Sequence, residues 1–173
     1  TRASAGTLAP YIEGHDSTPL RELGRRSLEL YDDFVRRVMQ ASGLPVQYTP
    51  NGTLEIGLDR EDAERLRAAA SSLATNGVDC QWVAPEDLLA LEPLAATGAT
   101  AGLLITRHGF VGVPDLTEAL AGAAMRAGAT FALETRVVSI APASDDRVTV
   151  ETTNGPSHFD FVVLAAGSWA GQV

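Results

Sequence analysis

A run that starts apolar and ends bare constrains this chain more than any other: Phe159-Asp160-Phe161-Val162-Val163-Leu164-Ala165-Ala166-Gly167-Ser168-Trp169-Ala170-Gly171. Val162, Val163 and Leu164 show no polar alternation, which predicts a strand covered on both faces. The side chains then shrink to Ala-Ala-Gly-Ser before a tryptophan. A buried strand that sheds its side chains at its C-terminal end lets main chain approach something else. In open α/β sheets, ligands bind just outside the strand ends. The same residues also suit a tight Ala/Gly turn that serves packing alone, and the run by itself does not choose between the two.

Hydrophobic residues make up 45% of the 173, which allows a sizeable core and argues against a disordered chain. The formal net charge is −9, and all 13 basic residues are arginine. No basic cluster is denser than Arg25-Arg26 or Arg36-Arg37, so neither nucleic acid nor an anionic membrane surface is an expected partner. No apolar run approaches the roughly 20 residues of a membrane-spanning helix. The lone Cys80, between Asp79 and Gln81 with no histidine beside it, excludes an internal disulfide. It suits a reducing, cytoplasmic setting and reads as an inert thiol. The chain opens on Thr1 without a signal-peptide pattern and ends two residues after Gly171, so a segment of a longer protein is expected.

In chain order, Ala3-Ser4-Ala5-Gly6-Thr7-Leu8-Ala9-Pro10 is either a disordered lead or a loop whose main-chain N–H groups face a ligand. Ser17 or Thr18 can cap a long amphipathic helix, with Leu20, Leu23, Tyr31, Phe34, Val35 and Val38 at helical spacing and a stop at Gly43. Val46 to Tyr48 and Thr53 to Leu58, around Pro50-Asn51-Gly52, predict a β-hairpin. Asp59 and Asp62 start a helix that ends at Asn76-Gly77. A strand over Val78 to Val83, a short helix from Pro85 and a strand over Ala101 to Thr106 follow. Pro114 opens a helix whose alanine-rich face should lie close against a sheet, and Gly128 stops it. Strands are expected over Thr130 to Leu133, Thr135 to Ile140, Arg147 to Thr152 and His158 to Leu164, with turns at Asp145-Asp146 and Asn154-Gly155. The pattern is α/β with α+β character.

Side-chain chemistry is sparse. His15, His108 and His158 show no metal-ligand spacing. There is no G-x-S-x-G elbow, no P-loop and no G-x-G-x-x-G. Carboxylates such as Glu61, Asp62 and Glu64 lie on solvated helix faces or cap helices. What remains is main-chain signal: Ala3 to Leu8, the strand start Arg136-Val137-Val138, and Ala165 to Trp169.

Taken in order, these pieces resemble the flavin-dependent amino-acid oxidase superfamily, most of all its glycine oxidase branch. The resemblance rests on Ala3 to Pro10, Glu29-Leu30-Tyr31, Asn51-Gly52-Thr53-Leu54, Leu91-Glu92-Pro93 and Gly109 to Leu116. It continues through Ala127-Gly128-Ala129, Thr135-Arg136-Val137 and Val162 to Trp169, and so spans the whole chain. Thr7 stands where the family often has Met, and Gly112-Val113 where it often has Asp.

The resemblance implies a cofactor, FAD, in the full-length protein. It places Ala3, Ser4, Ala5, Gly6, Thr7 and Leu8 beside the flavin ring, Val137 against the adenine, and Ala165, Ala166, Gly167 and Trp169 in a second dinucleotide-contact loop. It implies that residues 1–44 and 107–173 belong to a partial FAD-binding lobe with a β-meander, and 45–106 to part of a β-rich substrate lobe. The first β-α-β unit, with the dinucleotide glycines, and the substrate-carboxylate arginine would lie outside this segment. The implied reaction is oxidation of a small amine or amino acid, of the glycine, sarcosine or D-amino-acid type. The cofactor carries that chemistry, which accounts for the missing acid/base pair. A non-catalytic binding domain on a flavoprotein-like scaffold, or a nicotinamide enzyme on a related fold, is the alternative. The isolated segment is expected to be inactive, and bare sheet edges point to a homo-oligomer.

Overall fold

A computed structural model describes residues 4–13, 18–143 and 146–172. The chain forms two compact units, Thr1–Ala129 and Thr130–Val173. The first contains β1 (Thr7–Leu8), α1 (Pro10–Glu13), α2 (Thr18–Ser42), β2 (Tyr48–Thr49), β3 (Thr53–Gly57), α3 (Arg60–Thr75), β4 (Cys80–Val83), α4 (Pro85–Leu91), β5 (Ala101–Ile105), β6 (Gly109–Val111) and α5 (Val113–Arg126). The second contains β7 (Val137–Pro142), β8 (Val148–Thr152), β9 (Gly155–Phe159) and a 3-10 helix, Gly167–Gln172. Mixed helices and small antiparallel sheets match the α/β class with α+β character.

The first unit has two cores. In one, Val35 and Val38 of α2 meet Val46, Val111 and Ala119. Helix α2 stops where Gly43 turns left-handed, at φ +69°, and its N–H bonds the Met39 carbonyl at 2.8 Å. The alanine-rich α5, expected to lie close against a sheet, packs instead on helix α2, with Ala119 sharing that helix's core with Val111 of β6. Ala119 is fully buried there. In the other core, Leu66 and Leu73 of α3 cover Leu103 and Ile105 of β5 together with Tyr11. Helix α3 starts at Asp59, whose Oδ1 accepts the Asp62 N–H at 2.9 Å, and ends at Asn76-Gly77 with Gly77 at φ +73°.

The segments on either side of Asn51-Gly52 do not form a hairpin. β2 pairs antiparallel with β6, and β3 with β5, so residues 48–57 run alongside 101–111 as one bent pair crossing from sheet β1-β6-β2 into sheet β3-β5-β4. Between Thr49↔Phe110 and Thr53↔Ile105 the second strand carries one residue more than the first, a bulge at 106–108. Gly52, at φ +87°, gives its N–H to the His108 carbonyl at 2.9 Å, so the turn signal marks the crossing and not a chain reversal.

The second unit is the β7-β8-β9 meander, joined through turns that include Asp146 at φ +59° and Gly155 at φ +109°. Asp145 lies outside the described residues. Thr130 to Leu133 is not a strand; a turn with Glu134 at φ +54° precedes β7. The strand expected to reach Leu164 ends at Phe159, the last residue paired to β8. Beyond it Phe161 and Val163 are 90% and 89% exposed. Among the described residues no strand runs beside 160–166, and an extended apolar run without a ladder has neither its hydrogen bonds nor its cover.

Candidate cofactor-binding site

In the first unit Ser4 to Gly6 lead into β1, the edge strand of sheet β1-β6-β2; Ala3 lies outside the described residues. Ser4 and Ala5 are exposed, Gly6 is buried at φ +78°, Thr7 is exposed and Leu8 half-buried. Thr7 and Leu8 pair antiparallel with Phe110 and Gly109, and the Gly6 carbonyl accepts the Val111 N–H at 2.9 Å. A Cβ on Gly6 would overlap the Val111 carbonyl oxygen. The small residue here is therefore required by β6, whatever else approaches it.

Beside this tract, Tyr31, Phe34 and Tyr48 form an aromatic group, with Tyr31 5.8 Å from each of the other two rings. Tyr48 donates to Asp32 Oδ1 at 2.5 Å; burial first and this bond second push its hydroxyl pKa well above the usual value, so it stays protonated.

In the second unit, Val137, Ala166 and Trp169 line one cleft of about 420 Å³, walled also by Ile140, Val150 and Val162. The ladder pairs Val137 with Thr152 and resumes at Ser139 with Glu151, so Val138 bulges out of register. Ala165 and Gly167 flank the cleft in sequence and are exposed. Gly167 is at φ +55°, and nothing lies within 4 Å of the place a Cβ would take. Trp169 gives its main-chain N–H to the Ala166 carbonyl at 3.1 Å, and the residue is 66% exposed. Three of the residues singled out from sequence thus meet at one cleft, while Ser4 to Leu8 belong to the other unit.

Sequence reasoning passed over His108, which is fully buried and bonded through both ring nitrogens. Nothing in its local pattern separates it from an exposed turn histidine. Among the described residues no group of His, Cys, Asp and Glu could hold a metal ion, and no helix is long and apolar enough to cross a membrane.

Glycine oxidase of Geobacillus kaustophilus is 31% identical to this chain over 172 residues, covering 99% of the chain and 45% of the relative. The crystal structure of that oxidase superposes with a TM-score of 0.91 at 29% identity, over 99% of this chain and 46% of the other. The fold is also similar to L-alpha-glycerophosphate oxidase from Mycoplasma pneumoniae, solved with FAD bound (TM-score 0.80, 22% identity, 97% of this chain and 44% of the other). The chain spans under half the length of these relatives. Matched over residues 1–173, it belongs to the FAD dependent oxidoreductase family, DAO, whose cofactor is FAD.

Proposed function

We propose that this chain is part of an FAD-dependent oxidase or dehydrogenase acting on a small amine or amino acid. The observation that carries the reading is the cleft at Val137, Ala166 and Trp169, an apolar recess beside a bulged strand and a bare Gly167. Such a recess fits the flat, apolar faces of a nucleotide base, while bulged and turn main chain supplies polar groups for its edges. Bound FAD would supply the hydride acceptor for oxidising the carbon that bears the amine to an imine, which water would hydrolyse, with dioxygen as the final electron acceptor.

The protein's own residues bind and orient. Val137, Ala165, Ala166, Gly167 and Trp169 hold the nucleotide end, and Ala3 to Leu8 present main chain to the ring's polar edge. Residues 1–44 and 107–173 form part of the FAD-binding lobe and 45–106 part of the substrate lobe. The bare apolar run 160–164 supports the reading that the protein works as a homo-oligomer.

Purification of the whole protein tests the reading. Yellow colour, a flavin absorption band and peroxide release with glycine or sarcosine are expected. A colourless whole protein that takes up no added FAD overturns it and leaves a non-catalytic binding module. The isolated 173 residues should retain no stoichiometric flavin through gel filtration and show no turnover, because they lack a phosphate-cradling glycine loop.

A further inference from the structure

His108 has no role in the chemistry proposed above, yet its side chain is fully buried. Its Nε2 accepts the main-chain N–H of Tyr11 at 3.3 Å, a donor in the first turn of α1 that has no partner within its helix. Because Nε2 accepts, the ring proton is on Nδ1, which donates to Thr53 Oγ1 at 2.7 Å. The ring also stacks on Tyr11, with centroids 5.3 Å apart and planes 14° from parallel. The His108 carbonyl accepts the Gly52 N–H at 2.9 Å, at the bulge where the bent strand pair crosses between sheets. The residues immediately after it, Gly109 to Val111, hold Gly6 to Leu8 through the β1–β6 pairing.

Two segments otherwise distant in sequence therefore meet on one imidazole. One is Tyr11 in α1, three residues past the tract Ala3 to Leu8 proposed to edge the flavin; the other is Thr53 at the start of β3, in the proposed substrate lobe. We propose that His108 is a positioning residue, pinning the flavin-edge tract through Tyr11 to the substrate-lobe sheet through Thr53, so that it sets how the amine substrate is held against the cofactor. The proposal rests on the flavoenzyme reading for its functional half only. Phenylalanine would fill the same space and keep the stack, but would leave the Tyr11 N–H and the Thr53 hydroxyl unpaired. Glutamine can place an acceptor near the Nε2 position, and asparagine a donor near Nδ1, so the two links can be cut separately.

The test uses the whole protein with His108→Phe, His108→Gln and His108→Asn, reading amide exchange over residues 4–12 and steady-state kinetics with glycine or sarcosine. His108→Phe should speed exchange over 4–12 about tenfold or more, the effect of leaving one buried donor unpaired. It should raise KM more than it lowers kcat. His108→Gln should return exchange toward wild type while KM stays high, and His108→Asn should leave exchange fast. Exchange in His108→Phe within about twofold of wild type, a factor too small for a lost buried bond, overturns the proposal, as does an unchanged KM in all three variants. Should His108→Phe fail to fold, Thr53→Val cuts only the Nδ1 link; it must raise KM, and an unchanged KM again overturns the proposal. A whole protein without flavin removes the functional reading, while amide exchange still decides whether His108 holds the tract.

Discussion

The Gly6 carbonyl accepts the Val111 amide proton at 2.9 Å, and the Val111 carbonyl in turn fills the space a Cβ on Gly6 would need. With φ at +78°, Gly6 also occupies a conformation that costs any other residue. Gly6→Ala should destabilise the whole protein by at least about 2 kcal/mol, from backbone strain and overlap together. A lowered denaturant midpoint at unchanged m-value checks this, and flavin content should fall with it.

His108 supplies a pH signature. Burial lowers its pKa to about 4, against 6.5 for the free side chain. The groups around the ring are Tyr11 by stacking, the Thr53 hydroxyl and main chain. The folded state thus binds the proton less readily than the unfolded chain, so the neutral ring's contribution is complete above about pH 6.5 and drains away as pH falls toward 4. The loss should reach about 2–3 kcal/mol. His108→Gln should flatten that part of the stability-against-pH curve, measured by denaturation across pH 4–7.

Asp59 caps α3 from its side chain. Asp59→Ala should cost about 1 kcal/mol and Asp59→Asn much less, because asparagine keeps the accepting oxygen. Thermal unfolding of the two variants side by side separates the lost bond from the lost charge.

Cys80 should be slow to alkylate in the native protein. It is half-buried in β4, its Sγ lies 3.6 Å from the Ala70 carbonyl, and burial, then the charge of Asp79, raise its pKa. Little thiolate is present near neutral pH. Labelling with iodoacetamide should accelerate sharply on adding denaturant, and Cys80→Ser should leave flavin binding intact.

Trp169 offers the converse case. The residue is largely exposed, so Trp169→Ala should change the stability of cofactor-free protein by no more than about 0.5 kcal/mol. In the whole protein it should weaken FAD binding about tenfold, as loss of a stacking wall does. Titration of cofactor-free protein with FAD measures the difference.

Local chemistry was readable where a residue's own neighbours decide its conformation. Asp59, Gly43, Asn76-Gly77 and Gly155 mark helix ends and turns because caps and left-handed φ values depend on residues a few positions away. Val137, Ala166 and Trp169 were found through a resemblance spanning the chain, and their common cleft needed the meander to fold. His108 was missed because its two partners lie 97 and 55 residues away.

The amino-acid sequence alone determined α2, α3, α4 and α5 with their stops, the meander turn at Asn154-Gly155 and the family to which the chain belongs, since these follow from short-range periodicity and ordered motifs. Tertiary structure decided which strands pair. Asn51-Gly52 satisfies a turn in either arrangement, and only the long-range ladder of 48–57 against 101–111 converts it into a crossing between sheets. It also decided that Phe161 and Val163 lie bare in this chain: an apolar run specifies that it wants cover, and a sheet neighbour has to exist before it can have any.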